Sequence, residues 1–221
     1  MIVKKIKQLK RLIANYNLDG YVIPKNDAYF AEYSFPNRLK TISNFSGSAG
    51  FAIILNNENY LFVDGRYTLQ AKIESGKYFK IIEIPKLWPK DIFKKYKKKL
   101  LIGFDPQLFT NSILTNHFDT ICNLHPVKEN LIDKIYKEKS KNSVNYYYNL
   151  NNKTAGESIN SKVNRLLKKI KSKNIDNIFI SAPENVAWLL NLRGKDNPFS
   201  PIPNCKIILT KSKKINFFTF S

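Results

Sequence analysis

At 221 residues, 43% hydrophobic and 13% aromatic, the chain has a globular composition, with room for one large domain or two small ones. No apolar run approaches the roughly 20 residues that span a bilayer, and the lysine-broken N-terminus lacks the apolar core and cleavage site of a secretory signal. The net charge of +20 rests on 37 basic residues, of which only Arg11, Arg38, Arg66, Arg165 and Arg193 are arginines; base readout favours arginine, and no zinc pattern, recognition helix or RNA-binding strand accompanies the lysines.

The charge therefore reads as a solvated surface of the kind that AT-rich codons encode in Lys, Asn and Ile, with attraction of acidic partners as the alternative. Cys122 and Cys205 lie far apart without metal-ligand spacing, as reduced cytoplasmic thiols do.

Residues 2–16 place Ile2, Ile6, Leu9, Ile13 and Tyr16 on one stripe of a helix that "NLDG" ends. "YVIP" (21–24) reads as a buried strand. "FAIIL" (51–55) and "YLFVD" (60–64) form a hairpin across "NNEN". "RYTLQAKIES" returns to helical spacing through Leu69 and Ile73 and stops at Gly76. "FKIIEIP" is a strand, Pro89 opens the helix "KDIFKKYKK", and "LLIGFDP" is a strand. A helix capped by Thr110 or Asn111 runs to about His117, and "ICNLHPV" is the last strand of this part. Strands alternating with helices, with one hairpin, give an α/β fold with a mixed sheet over residues 1–137.

Residues 138–153 are polar and read as a linker. The rest, 154–221, reads as the first part of a second α/β domain, ending on a strand at Ser221. Thr154 with Glu157, and Ser181 with Glu184, have the spacing of capping boxes. The first helix turns Ile159, Val163, Leu166, Leu167 and Ile170 inward, and the second carries Trp188 as a core residue. "IDNIFIS", "CKIILT" and "INFFTFS" are strands. No internal repeat is evident by eye, although both parts open on helix–strand–helix.

The loop "NFSGSAGFAII" (44–54) invites a chemical reading. A phosphate loop needs a helix after its glycines; a strand follows Gly50 here, so the anion-binding dipole is missing. Ser48 lacks both the GxSxG setting and a nearby base. Gly47 and Gly50 are expected to make a structural turn. His117 and Asp119 face different sides of a helix, His125 precedes Pro126, and no carboxylate pair accompanies a histidine, so neither a metal site nor a catalytic residue is expected. "VDGRY" places Asp64, Gly65 and Arg66 at a strand end, either as a turn with an Arg–Asp pair or as an arginine offered to a carboxylate or a subunit. "NLRGKDNPFSPIP" (191–203) places Arg193, Gly194 and Asp196 in a proline-stiffened loop. Gly194 there is either a helix C-cap or part of a ligand or interface loop.

Together these segments resemble a known family. "EYSFPNRLKTISNFSGSAGFAII" followed by "LFVDGRYTLQA" resembles the N-terminal domain of the Xaa-Pro aminopeptidase (aminopeptidase P) branch of the creatinase–prolidase family, where an EY…R…SGF-x-GSAG segment precedes DGRY-x-LQA. "IGFDPQLFT", "AGES" (155–158) and "PENVAWLLNLRGKDNPFSPIP" look like later segments of the three-domain form. Asn44 stands where the family usually has Gly, and "FSPIP" where it has NPVF. The resemblance implies a three-layer creatinase N-terminal-like domain followed by a similar, incomplete one. It also implies a metallopeptidase domain with two manganese ions on Asp, Asp, His, Glu and Glu ligands, whose bridging hydroxide attacks the bond before proline. None of those ligand motifs occurs here, so the resemblance assigns this chain a non-catalytic N-terminal role. The expected partners are a separately encoded catalytic half or a second copy, not a membrane or nucleic acid. A peptide- or acidic-partner-binding module and a remnant of a degraded gene are the other readings.

Overall fold

The computed structural model describes residues 2–31, 36–136, 147–197 and 199–219. The "EYSF" segment (32–35), most of the expected linker and the chain end lie outside these. The chain divides into two compact units, Met1–Lys139 and Ser140–Ser221.

In the first unit α1 (Ile2–Asn15) lays Ile2, Ile6, Leu9 and Ile13 on the core; Tyr16, expected on the same stripe, falls just past the helix and is exposed. Then come β1 (Gly20–Pro24), α2 (Arg38–Ser43), β2 (Gly50–Leu55), β3 (Asn59–Asp64), α3 (Thr68–Ser75), β4 (Lys80–Ile84), α4 (Pro89–Phe93), β5 (Leu101–Phe104), α5 (Asn111–Phe118), β6 (Asn123–Pro126) and α6 (Leu131–Ile135). The sheet order is β4-β3-β2-β1-β5-β6. β2 runs antiparallel to both β1 and β3, while β3/β4, β1/β5 and β5/β6 are parallel, as the hairpin requires of a mixed sheet.

The central strands read as continuous apolar runs because both faces are covered. One face packs Tyr21, Ile23, Ala52 and Ile54 under α1, α2, α3 and α6; the other packs Val22, Phe51, Ile53 and Phe62 under α4 and α5. Arg38 donates to both oxygens of Asp133, at 2.9 and 2.8 Å, and so ties α2 to α6. α4 is only five residues long, shorter than its lysine-rich sequence suggests.

The expected inward face of α3 is wrong. Leu69 and Ile73 are exposed, and Ala71 and Ser75 face the sheet. The helix lies close enough that small residues fill the contact, and Ser75 Oγ donates to the Ser43 carbonyl at 2.8 Å.

His117 is wedged on the second face, its ring 4.7 Å from Phe51 and 4.9 Å from Trp88, with Nδ1 2.7 Å from the Ile113 carbonyl. Burial pushes the imidazole below its ordinary range, against the opposing pull of that carbonyl. The unfolded chain then binds the proton first, so stability is expected to fall as pH drops below about 6.5. Urea midpoints between pH 5 and 8 should show the decline, and H117F should flatten it; an unchanged slope would refute the assignment.

In the second unit β7 (Tyr148–Asn149) and α7 (Asn152–Ala155) occupy the end of the expected linker. α8 (Ile159–Ser172), β8 (Asn177–Ile180), α9 (Pro183–Leu189), β9 (Leu192–Arg193), β10 (Cys205–Thr210) and β11 (Ile215–Thr219) follow. β11, β10 and β8 form an antiparallel sheet in that order, and β7 pairs with β9. Val163, Leu167, Ile170, Val186 and Ile207 are at the centre of the core.

Both expected capping boxes fail, for local reasons. Asn151 caps α7, and Gly156 at φ +76° ends it, so α8 restarts with Ser158 as its cap instead of Thr154. Glu157 instead accepts from Ser161 Oγ and Arg165. Pro183 occupies the first turn of α9, moving the cap to Ala182, which offers no side-chain bond. Trp188, expected in the core, is half exposed.

An internal repeat, not evident by eye, links the units. Ile2, Ile6, Leu9 and Ile13 in α1 correspond to Ile159, Val163, Leu166 and Ile170 in α8, each 157 residues on. The helix ends repeat at the same interval. Asn17 (φ 54°) and Asn174 (φ 52°) are left-handed, and Leu18 and Ile175 donate to the carbonyls of Ile13 and Ile170. Strand register repeats too: Gly20–Leu55 and Val22–Ile53 in unit one match Asn177–Thr210 and Phe179–Ile208 in unit two.

Candidate functional site

In the first unit the two motifs of the resemblance meet. α2 ends at Asn44, left-handed at φ 67°, whose amide donates to the Lys40 carbonyl. After glycine, asparagine is the residue that best tolerates this conformation, so Asn44 can make this left-handed turn. Beyond it the Ser46 amide and hydroxyl both donate to the Glu74 carboxylate at 2.7 Å, Gln70 Nε2 donates to the Ser46 hydroxyl at 2.8 Å, and Ser48 Oγ lies 2.8 Å from the Tyr67 hydroxyl. Burial alone pushes the Glu74 carboxyl up; the two bonds from Ser46 and one from Gln70 outweigh it, holding it below the usual carboxylate range. A Cβ on Gly47 would lie 2.3 Å from the Phe45 ring, and one on Gly50 2.6 Å from the Phe62 carbonyl. The loop is a clamp between α2 and α3, with its hydroxyls engaged.

Asp64 accepts from the Arg66 amide at 3.0 Å and its Nε at 2.9 Å, and these bonds lower the carboxyl. The guanidinium lies on the exposed surface, 5.5 Å from the Tyr67 ring. Gly65 begins a single 3-10 turn beside Glu83.

In the second unit "AGES" and "NLRGKD" also meet. Asn191, buried at φ 50°, donates from Nδ2 to the Glu157 carbonyl at 3.0 Å and accepts from Lys162 Nζ at 2.7 Å; that ammonium also donates to the Trp188 carbonyl at 2.8 Å. Arg193 turns onto its own loop, donating to the Leu192 carbonyl at 2.8 Å and the Ala187 carbonyl at 3.4 Å. Asp196 accepts from the Asn204 amide at 2.6 Å. Gly194 is not a helix cap, since α9 ends at Leu189 and is capped by Leu190; its amide donates to the Pro201 carbonyl at 2.9 Å.

Arg66 and Asp64 are thus paired with each other, while Arg193 and Asp196 each hold the 191–204 loop. Lys162 and Trp188 carry the second cluster, and sequence reading missed Lys162 because a lysine on a lysine-rich helix gives no signal of burial. Burial pushes the thiols of Cys122 and Cys205 up to about 12 and about 11, which leaves them unreactive. Among the described residues no group of three or more His, Cys, Asp or Glu side chains could hold a metal ion, and no helix is long and apolar enough to cross a membrane.

Comparison with known proteins agrees with this geometry. Models of the creatinase/prolidase N-terminal domain match residues 5–135 and again 138–221. "Probable Xaa-Pro aminopeptidase P" of Laccaria bicolor is 31% identical over 97% of this chain and 35% of that protein. Xaa-Pro aminopeptidase 1 of Dictyostelium discoideum is 29% identical over 98% of this chain and 37% of its own length. The X-prolyl aminopeptidase of Caenorhabditis elegans, described as a cytosolic enzyme with a di-nuclear active site, has a similar structure: TM-score 0.89 and 25% identity over 100% of this chain and 39% of that one. This chain spans little more than a third of the length of these relatives. With both units matched in order, the chain belongs to the creatinase/prolidase N-terminal domain family, in the form found in the N-terminal part of aminopeptidase P proteins.

Proposed function

We propose that this chain is the non-catalytic N-terminal portion of a cytoplasmic Xaa-Pro aminopeptidase, packing against a catalytic polypeptide and restricting which peptides reach it. The observation that carries the reading is the two-unit likeness to the Caenorhabditis elegans enzyme over the whole of this chain. The donor set of the described residues does not fit a metal pair, so under this reading the di-nuclear centre and the hydrolytic step belong to the part of the relatives that this chain does not span. Its own residues supply shape. The Ser46–Glu74 and Lys162–Asn191 clusters fix the loops, and Arg66 with Asp64 offers a charged surface to the catalytic side.

The test is reconstitution. The chain alone, with manganese and a peptide carrying proline in second position, should release no N-terminal residue. Co-expressed with the part of the Caenorhabditis elegans enzyme outside the matched region, it should do so. Turnover by the chain alone, or none from the pair, would overturn the reading.

A further inference from the structure

The repeat lets the edges of the two sheets be compared strand by strand. In the first unit β1 has two neighbours, β2 and the parallel strand β5. β8, its counterpart, pairs with β10 in the same register, but no strand pairs with its other edge among the described residues. Burial follows this difference. Val22 is 1% exposed and its counterpart Phe179 is 59% exposed; Leu9 is fully buried and its counterpart Leu166 only partly. Val22 shares its core cluster with Leu100, Ile102, Phe104 and Leu114, and Leu9 shares the other with Val127, Leu131 and Ile132, all from the β5–α6 segment and the residue before it. Beside β8 the same ground is an open groove of about 390 Å³ lined by Leu166, Phe179, Ile180, Trp188 and Leu189.

A polar marker sits at the start of this edge. Asp19, just before β1, receives β5: its amide donates to the Leu101 carbonyl at 2.8 Å, its carboxylate accepts from the Leu101 amide at 2.9 Å, and Lys98 adds a contact at 2.7 Å. Its counterpart 157 residues on is Asp176, whose exposed carboxylate meets the surface ammonium of Lys211 and, among the described residues, receives no strand.

We infer that the outer edge of β8, from Asp176 to the Trp188 groove, is the seam on which a β-strand of the catalytic polypeptide docks parallel to β8, followed by helices that cover Phe179 and Leu166. The occupant has the chemistry of the β5–α6 segment: an aliphatic strand whose first residue offers an amide and a carbonyl to Asp176, joined by right-handed crossovers to apolar helices. An exposed strand edge flanked by large apolar side chains is a template for pairing, and here the repeat specifies its direction and register. This inference rests on the function proposed above.

The test uses the full chain co-expressed with the unmatched part of the Caenorhabditis elegans enzyme, read by co-purification and by hydrogen exchange. Wild-type protein should form the complex, and amides 177–181 should slow by at least about tenfold relative to the chain alone. F179D, at an exposed position, should melt like wild type on its own and weaken the complex roughly tenfold or more; D176A should weaken it less. A complex that tolerates F179D and leaves β8 exchange unchanged overturns the seam while the functional reading stands. No complex with wild-type chain overturns both. A homodimer of the chain alone that protects 177–181 and is lost in F179D overturns the choice of occupant.

Discussion

Replacing Gly50 by alanine is expected to cost the first unit about 3 kcal/mol, enough to remove much of the stability of a domain this size. Two effects add. Gly50 sits at φ +153°, which side-chain-bearing residues rarely adopt, and its new Cβ would lie 2.6 Å from the Phe62 carbonyl oxygen in the adjoining strand. Neither partner can yield easily. Gly50 is paired with Val63 at the first rung of the β2/β3 ladder, its carbonyl accepts from the Lys25 amide at 3.1 Å, and Phe62 is fully buried, stacked on Phe51 at 4.7 Å. Gly156 isolates the backbone contribution. It lies at φ +76° with nothing within 4 Å of the position a methyl group would take, so G156A should cost about 1 kcal/mol and no more. Trp88 is the sole tryptophan of the first unit and Trp188 that of the second, so urea unfolding of W188F and W88F backgrounds reads each unit separately. A G50A midpoint within error of its parent would refute the argument.

The first unit is readable where periodicity is long and both faces are buried. The α1 stripe, the β2/β3 hairpin and the apolar β1 run each have one arrangement that satisfies them. Leu69 and Ile73 mislead because a short helix near a sheet is selected for small contact residues, and two large apolar side chains at helical spacing look like a core face wherever they point. The capping errors share one cause: Gly156 and Pro183 each move a helix start, and a box pattern read without its neighbours ignores that. The repeat escapes notice because it lies in spacing more than in identity. Asn17, Asp19 and Ile23 recur as Asn174, Asp176 and Ile180, but Gly20, Tyr21 and Val22 become Asn177, Ile178 and Phe179. The clustering of motifs within each unit is not readable at all, since nothing in "SGSAG" or "DGRY" states that Ser46 reaches Glu74 across 28 residues.

The same repeat sets Lys162 against a counterpart in the first unit. Its counterpart Lys5 lies over the Tyr136 ring at 4.3 Å and keeps partial contact with solvent. Lys162 is 3% exposed, with its ammonium 4.4 Å from the Trp188 ring centroid and bonded to the Trp188 carbonyl and Asn191 Oδ1. Asn191 in turn reaches Glu157 through its side chain and receives the Leu150 amide on its carbonyl at 2.8 Å, so one ammonium fixes α8, the end of α9 and the strand pair β7/β9. K162M keeps most of the stem and removes the donors: the buried Asn191 Oδ1 loses its ammonium partner at a cost of about 1–3 kcal/mol, while the Trp188 carbonyl keeps the Asn191 amide at 3.4 Å. A buried charge is itself expensive to desolvate, and its removal returns part of that cost. The stranded Asn191 oxygen is expected to dominate, because the methionine thioether cannot donate to it. The second unit, with a core of few residues, should therefore lose about 1–3 kcal/mol, read by Trp188 in urea. A double-mutant cycle with N191L apportions the result. If the lysine acts through Asn191, K162M should cost much less in the N191L background than in wild type. Equal losses in both would assign the effect to the Trp188 carbonyl and ring instead, and an unchanged or raised midpoint would show that desolvation governs this position.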